Sequence, residues 1–397
     1  MRKNGLMKNV FWGLMMLAFS GNAQEKIDVD KQMELSAKQY KGMLQEFQDT
    51  NLFPQSVNKD GSYRKMKADW WCTGFFGGIL WYLYEYTGDT SFKNEADKWT
   101  MALQKEQYNK STHDLGFMLY CSFGNGYRLT KDPKYKPILL QGAASLSTRF
   151  NPKIGLIKSW ESFGKYKYPV IIDNMMNLEY LLWAAKASGN KEYYDIAISH
   201  ADKTIENHFR ADYSTYHVVC YDSVGNVLAK KTAQGYSDSS AWARGQAWGL
   251  YGYTMMYRET KDKKYLNQAI HIADFFMNHP NLPADKIPYW DFNAPNIPDE
   301  VRDASSAAIA ASALLELSGY VKRSLQKKYF AFAEEVLKSL SGPEYFASED
   351  NHHFLLKHST GSRRANSEVD TPIIYADYYY LEALLRYNQL TKGKKKP

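Results

Sequence analysis

Five times along this chain a helix-like apolar stretch meets a short polar turn, and a second helix-like stretch begins. The joints are Thr87-Gly88-Asp89-Thr90, Thr130-Lys131-Asp132-Pro133, Ser188-Gly189-Asn190-Lys191 and Thr260-Lys261-Asp262-Lys263, with a looser Ser318-Gly319-Tyr320. Gly suits the residue that ends a helix in the left-handed region, and Asp or Asn suits the N-cap of the next one. An aromatic stands just inside the second stretch in four of them (Phe92, Tyr135, Tyr193, Tyr265), placed to pack back on the first. A helical hairpin of this kind cannot bury its apolar face alone, so repeated hairpins must stack.

The stretch before each joint predicts a helix of about four turns, beginning near Trp70, Asp114, Asp173, Ser240, Asp303 and Tyr375. Segments such as DNMMNLEYLLWAAKA (173 to 187) and DASSAAIAASALLEL (303 to 317) are apolar or small on most faces. Such helices are buried all round. The stretches after the joints, such as KEYYDIAISHADKTIENHF (191 to 209), are amphipathic and expect one solvated face. Six inner helices alternating with outer ones predict an all-α fold, an (α/α)6 toroid or barrel of six helical hairpins. The N-terminal stretch from Asp30 to Gln48 supplies the sixth outer helix. Strand-like material is expected only in connections, Tyr216 to Lys231 and His352 to His358. An open superhelical solenoid is the alternative, and six units with both ends accounted for favour closure.

The ends read differently from the body. Arg2, Lys3 and Lys8 precede a short apolar run, Val10 to Ser20, and then small residues at Gly21-Asn22-Ala23. That is the pattern of a secretory signal over residues 1–23, and it predicts an exported, periplasmic protein with a catalytic domain over 24–390. Residues 391–397 form a basic tail. The formal net charge of +7 sits mostly at these two ends. The balanced body offers no basic face for nucleic acid, and no apolar run reaches the length of a membrane span. Three cysteines, Cys72, Cys121 and Cys220, give no disulfide scaffold and no paired metal motif, so no metal and no cofactor is expected. Either a monomer or a homodimer is compatible with the sequence.

In a helical ring the connections entering the inner helices gather at one mouth. Those segments hold Trp70, Trp71, His113, Asp114, Trp160, Asp173, His217, Gln234, Asp238, Trp242, Arg244, Trp248, Trp290 and His358. Trp beside Asp, His and Arg is how sugar sites are built: flat rings cover the apolar face of a pyranose and polar groups read its hydroxyls. Asp114 and Asp173 stand at equivalent helix starts, where an Asp is commonly an N-cap with a depressed pKa. Two carboxyls in one aromatic cleft would instead raise each other, making one a general acid. Arg244, among the small and aromatic neighbours of SAWARGQAWGLYG, needs an anionic partner, either a protein carboxylate such as Asp238 or an anionic ligand. His217 lies on a strand-like connection and by itself reads as structural. No metalloprotease, esterase or P-loop signature appears.

Through these residues the chain resembles the unsaturated glucuronyl hydrolases, glycoside hydrolase family 88. The resemblance rests on WCTGFFGGILWYLYEYTGD (71 to 89), THDLGFMLY (112 to 120), IIDNMMNLEYLLWA (171 to 184), TYHVVCYD (215 to 222), QGYSDSSAWARGQAWGLYGYT (234 to 254) and the segment from HHFLLKHSTG to DYYYLEALLRY. It implies that the substrate is a lyase-generated oligosaccharide, from glycosaminoglycans in the first place, with a 4,5-unsaturated uronic acid at its non-reducing end. It implies hydration of the C4=C5 bond, with Asp173 as general acid and base and Asp114 as the second essential carboxylate. It further places His217 and Gln234 around the ring and attacking water, Arg244 and Trp248 at the uronate, and Trp71 and Trp160 as stacking walls. Some family members hold a sulfate on the next sugar with serines and a lysine. Here Ser362 is retained, no lysine follows, and Arg363 or Arg364 is left to substitute. An unsaturated rhamnogalacturonyl hydrolase, a non-catalytic glycan-binding protein and a sugar epimerase on the same toroid are the alternatives.

Overall fold

The structure is a computed structural model that describes residues 26–347 and 351–392. The expected signal segment, 1–23, and residues 393–397 of the expected basic tail lie outside the described residues. Twelve α-helices follow one another: α1 (Val29–Glu46), α2 (Gly74–Thr87), α3 (Thr90–Met101), α4 (Asn125–Thr130), α5 (Tyr135–Ser147), α6 (Leu178–Ser188), α7 (Lys191–His208), α8 (Ala243–Thr260), α9 (Lys263–Asn278), α10 (Ala304–Ser318), α11 (Arg323–Ser341) and α12 (Ile374–Thr391). The even-numbered helices form the inner ring. Each packs on the next, the step from α4 to α6 being made by the segment Gly116–Gly124 that leads into α4, and α12 returns to α2, so the (α/α)6 barrel is closed. The odd-numbered helices form the outer layer, with α1 laid across the seam between α2 and α12. Among the described residues no helix is long and apolar enough to cross a membrane.

The joints explain the repeat. Gly88, Lys131, Gly189 and Lys261 each end an inner helix in the left-handed region, at φ 70°, 56°, 76° and 60°. The next residue, Asp89, Asp132, Asn190 or Asp262, then accepts a backbone N–H two positions on. Phe92, Tyr135 and Tyr265 are buried directly behind these caps. The fifth joint differs, since Gly319 keeps a right-handed φ of −75°.

Two inner helices are irregular where they enter the ring. Gly116–Gly124 is π-helical and runs into α4, and Ile172–Asn177 is a 3₁₀ turn that runs into α6. The close approach of these starts requires glycine. A Cβ on Gly74 would lie 2.2 Å from the carbonyl oxygens of Phe117 and Met118, and one on Gly116 would lie 2.5 Å from Asn177 Oδ1. Helices α2 and α8 begin a few residues later than the sequence suggests, because Trp70–Thr73 and Ser240–Trp242 are spent on turns and a bridge.

Strands are confined to connections, as expected, though they differ in place. Tyr168–Ile171, Val218–Tyr221 and Val227–Lys231 form a three-stranded antiparallel sheet. The expected strand over His352–His358 is absent: Leu356 makes one bridge to Phe346, while His352, His353 and His358 have φ of 52°, 62° and 59°, which no ladder accommodates. The hairpin of Ser359–Ser362 with Ser367–Thr371 follows instead. A further hairpin, Phe53–Val57 with Tyr63–Met66, was not foreseen.

Candidate active site

The sheet sets the position of Asp173. Ile171 pairs with Val218, and the Ile172 N–H donates to the His217 carbonyl at 3.1 Å. Asp173 and His217 therefore leave the end of the sheet side by side, and His217 Nε2 lies 3.5 Å from Asp173 Oδ2. His217 stacks on Trp242 at 4.4 Å and meets the edge of Trp160 at 6.2 Å between ring centroids. Its Nδ1 accepts the backbone N–H groups of Ala233 and Gln234, each at 3.2 Å. Thus Gln234 reaches the site through its backbone as well as its side chain.

Asp114 is set by the turn before the π-helix. Its Oδ2 accepts from the Thr112 hydroxyl at 3.3 Å, and its own N–H donates back to that oxygen. His113 Nε2 lies 3.2 Å from Asp114 Oδ1. Neither aspartate caps its helix: the starts after Leu115 and Ile171 have no side-chain cap. The N-cap alternative weighed from the sequence therefore fails at both positions.

Without a cap, burial governs both carboxyls. Asp173 is pushed up to about 7 by burial and further by Asp114, against the pull of Arg244. Asp114 is also pushed up to about 7 by burial, against hydrogen bonding from Thr112 and Asn177 and the charge of Arg149. Asp173 Oδ2 is buried without a hydrogen-bond partner, and so is the Trp248 indole Nε1. That indole is close enough to lower the Asp173 pKa, though it stops short of bonding geometry. Both histidines are pulled down to about 3, chiefly by burial, with Arg149 acting on His113 and Arg244 on His217.

Arg244 finds a different partner from the one expected. Its guanidinium donates to Asp303 Oδ2 at 2.9 Å and to the carbonyls of Thr360 at 2.5 Å and Gly361 at 2.7 Å. Asp238 instead accepts from Lys231 and the Thr232 N–H. The Asp303 pair won because it is fully buried against the ring, whereas Asp238 stays on the partly exposed sheet connection. Arg244 is also sandwiched between Trp242 at 4.6 Å and Tyr375 at 5.2 Å. Gln234 Nε2 donates to the same Gly361 carbonyl at 2.8 Å. Arg244 and Gln234 together therefore fasten the 359–371 hairpin, which carries Ser362, to the mouth.

Trp71 forms a wall with Tyr375 and Phe117, at 5.2 and 5.4 Å. Trp248 is wholly buried between Phe117 and Tyr379. Trp160 sits half-buried against Phe163 and His217. Sequence reasoning missed Arg149, whose guanidinium holds the carbonyls of Lys110, Lys158 and Ser159 beneath Asp114. Nothing in its surroundings along the chain signals this. Asp303 was legible as a third aspartate at an inner-helix start, equivalent to Asp114 and Asp173, and its function as the Arg244 partner could have been read from that.

Known proteins resemble this chain over most of its length. The family model described as Glycosyl Hydrolase Family 88 matches residues 43–393. The chain is 44% identical over 375 residues to an unsaturated glucuronyl hydrolase of Formosa agariphila, covering 93% of each. It is 32% identical over 373 residues to an unsaturated chondroitin disaccharide hydrolase of Streptococcus agalactiae, covering 91% of this chain and 92% of the relative. Among solved structures, an unsaturated glucuronyl hydrolase specific for heparin superposes with a TM-score of 0.90 at 54% identity, over 93% of this chain and 99% of the other.

Proposed function

The chain belongs to Glycosyl Hydrolase Family 88, and from that premise we propose that this glycoside hydrolase removes a 4,5-unsaturated uronic acid from the non-reducing end of lyase-generated oligosaccharides by hydrating C4=C5. The observation that carries the reading is the pair of buried carboxyls with raised pKa values, one of them open-handed: among the described residues Asp173 Oδ2 has no partner in hydrogen-bonding geometry, with His217 Nε2 at 3.5 Å. An acid held protonated near neutral pH can give its proton to C4 of the enol ether. Positive charge then develops at C5 with help from the ring oxygen. The same carboxylate, now ionised, takes a proton from water as its oxygen adds to C5. The resulting hemiketal opens, C5 becomes a ketone, and the remaining glycan leaves from C1 with a proton.

Each neighbour has a part in this reaction. His217 and Trp242 frame the water side of Asp173, and Asp114 receives hydroxyls of the ring. Arg244 acts through its charge, with three of its five N–H donors held by Asp303 and the hairpin. Trp71 and Trp160 line the sugar faces. The hairpin presents Ser362, Arg363 and Arg364 toward the next sugar, with the Arg364 guanidinium resting on the Thr232 carbonyl at 3.2 Å. Two arginines there favour a sulfated glycosaminoglycan disaccharide, and the heparin-specific relative is the precedent for the first sugar to try. The N-terminal signal pattern supports export to the periplasm, where lyase products arrive.

The test is loss of the ultraviolet absorbance of the conjugated double bond across heparin, chondroitin, hyaluronan and pectin lyase products. Turnover of the glycosaminoglycan products supports the reading. Binding without bleaching of any of them would make the protein a glycan-capture module instead.

A further inference from the structure

The two carboxyls meet their histidines through opposite tautomers. His113 Nδ1 lies 2.9 Å from the Ser159 carbonyl oxygen, which can only accept. The neutral ring must therefore carry its proton on Nδ1, leaving a lone pair on Nε2. His217 is reversed. Its Nδ1 accepts two backbone N–H groups, so its proton sits on Nε2 and points toward Asp173. Burial keeps both rings neutral, and Arg149 and Arg244 reinforce that.

His113 Nε2 is buried with no donor in hydrogen-bonding geometry, and Asp114 Oδ1 stands 3.2 Å away. An ionised Asp114 would set a carboxylate against a lone pair and leave the buried His113 Nε2 without a donor. A protonated Asp114 closes an O–H···N bond instead. The other oxygen agrees with this, since Asp114 Oδ2 already accepts from Thr112. The remaining groups acting on Asp114 are the Asn177 amide, the Arg149 guanidinium and Asp173.

We propose that His113 is a positioning residue that keeps Asp114 uncharged, so that the site admits an anionic uronate without a second full negative charge beside the ring. Asp114 then offers Oδ2 as a neutral acceptor to sugar hydroxyls, while Asp173 alone titrates for chemistry. This rests on the uronate reading above and adds a division of labour to it: Asp114 ionisation weakens binding, and Asp173 ionisation stops the proton transfer.

The test isolates Asp114 by working in Asp173→Asn, which cannot turn the sugar over. Calorimetric Kd for a lyase-generated unsaturated disaccharide should be flat at low pH and rise about tenfold per pH unit above the Asp114 pKa, as the competent fraction falls. Adding Asp114→Asn, permanently neutral, should flatten that profile. Adding His113→Asn, which keeps a donor for Ser159 and removes the Nε2 acceptor, should start the rise about one pH unit or more lower. His113→Gln returns an acceptor near Nε2 and should restore the profile. An unchanged profile in His113→Asn, or a flat one in Asp173→Asn alone, overturns the proposal. Infrared spectroscopy of the ligand-free protein gives an answer independent of substrate and of variant folding at His113: near about pH 6 a difference band for one protonated-carboxyl C=O must separate Asp173→Asn from the Asp173→Asn, Asp114→Asn double variant, the buried Asp377 contributing equally to both. Its absence overturns the proposal even where sugar binds. Failure of the functional reading shows up separately, as no binding and no bleaching of any unsaturated uronide.

Discussion

In the proposed reaction Asp173 is where one side chain decides the outcome. As an acid it must be protonated, and with its pKa pushed up to about 7 the first-order rate at saturating sugar should fall about tenfold per pH unit on the alkaline side. Asp173→Asn should lower kcat by about 10³-fold or more while leaving Kd near wild type, measured by bleaching and calorimetry. A turnover number within a few-fold of wild type would remove Asp173 from its role. The same burial makes a stability prediction. The folded pKa of Asp114 and of Asp173 lies above the unfolded carboxylate value, so each contributes stability fully present below about pH 4 that is lost as pH rises through about 7. Asp114→Asn and Asp173→Asn should therefore melt above wild type near about pH 8, with the gap closing toward about pH 4, in scanning calorimetry. The residues proposed to carry this chemistry were legible one at a time, as aspartates at helix starts. Their protonation was left open between a capped and a buried state, because burial, and the opposing pull of Asn177 and Arg149 on Asp114 and of Arg244 on Asp173, come from segments that no local pattern connects to them.

Among the elements, the 359–371 hairpin depends most on a single contact. Arg244 holds two of its carbonyls and Asp303 together. Arg244→Met leaves a buried carboxylate unpaired and should cost about 3–5 kcal/mol in denaturant unfolding. Adding Asp303→Asn should recover much of that stability without recovering KM, because the hairpin stays unfastened. Full recovery of KM in the double variant would show that Arg244 does not act through the hairpin. Legibility divides along the same line. Turns such as Gly88-Asp89 and Gly189-Asn190 are local chemistry, cap and all, and they fixed the helix order from sequence. The hairpin is held from α8 and α10, more than 50 residues away along the chain, and its residues Asn366, Glu368 and Asp370 adopt φ of 50°, 53° and 54° that composition does not announce. The π-helical entry at Gly116–Gly124 is set in the same way, by packing against Gly74 and Asn177.

Across the whole molecule, the ring separates two kinds of charge. At the far end from the site, Arg258 pairs with Glu179, Glu259 and Glu316, and Arg386 pairs with Glu316 and Glu382, so each of these four carboxylates meets a guanidinium. The seam is stapled by Asp377 of α12, which accepts from the backbone of Leu355 and Leu356 and from the Tyr40 hydroxyl of α1. Among the described residues, only the mouth leaves a buried carboxyl oxygen without a hydrogen-bond partner beside aromatic walls, and that asymmetry singles out one end of a closed barrel for the proposed chemistry. The account stands on proton delivery to C4, before anything happens at the anomeric carbon. An unsaturated uronyl C-glycoside, whose anomeric bond cannot hydrolyse, tests that order directly when incubated with the enzyme in deuterium oxide. Hydration predicts loss of the double-bond absorbance and deuterium at C4, both absent with Asp173→Asn. Retention of the double bond in the C-glycoside, while the matching O-glycoside is cleaved, would contradict it.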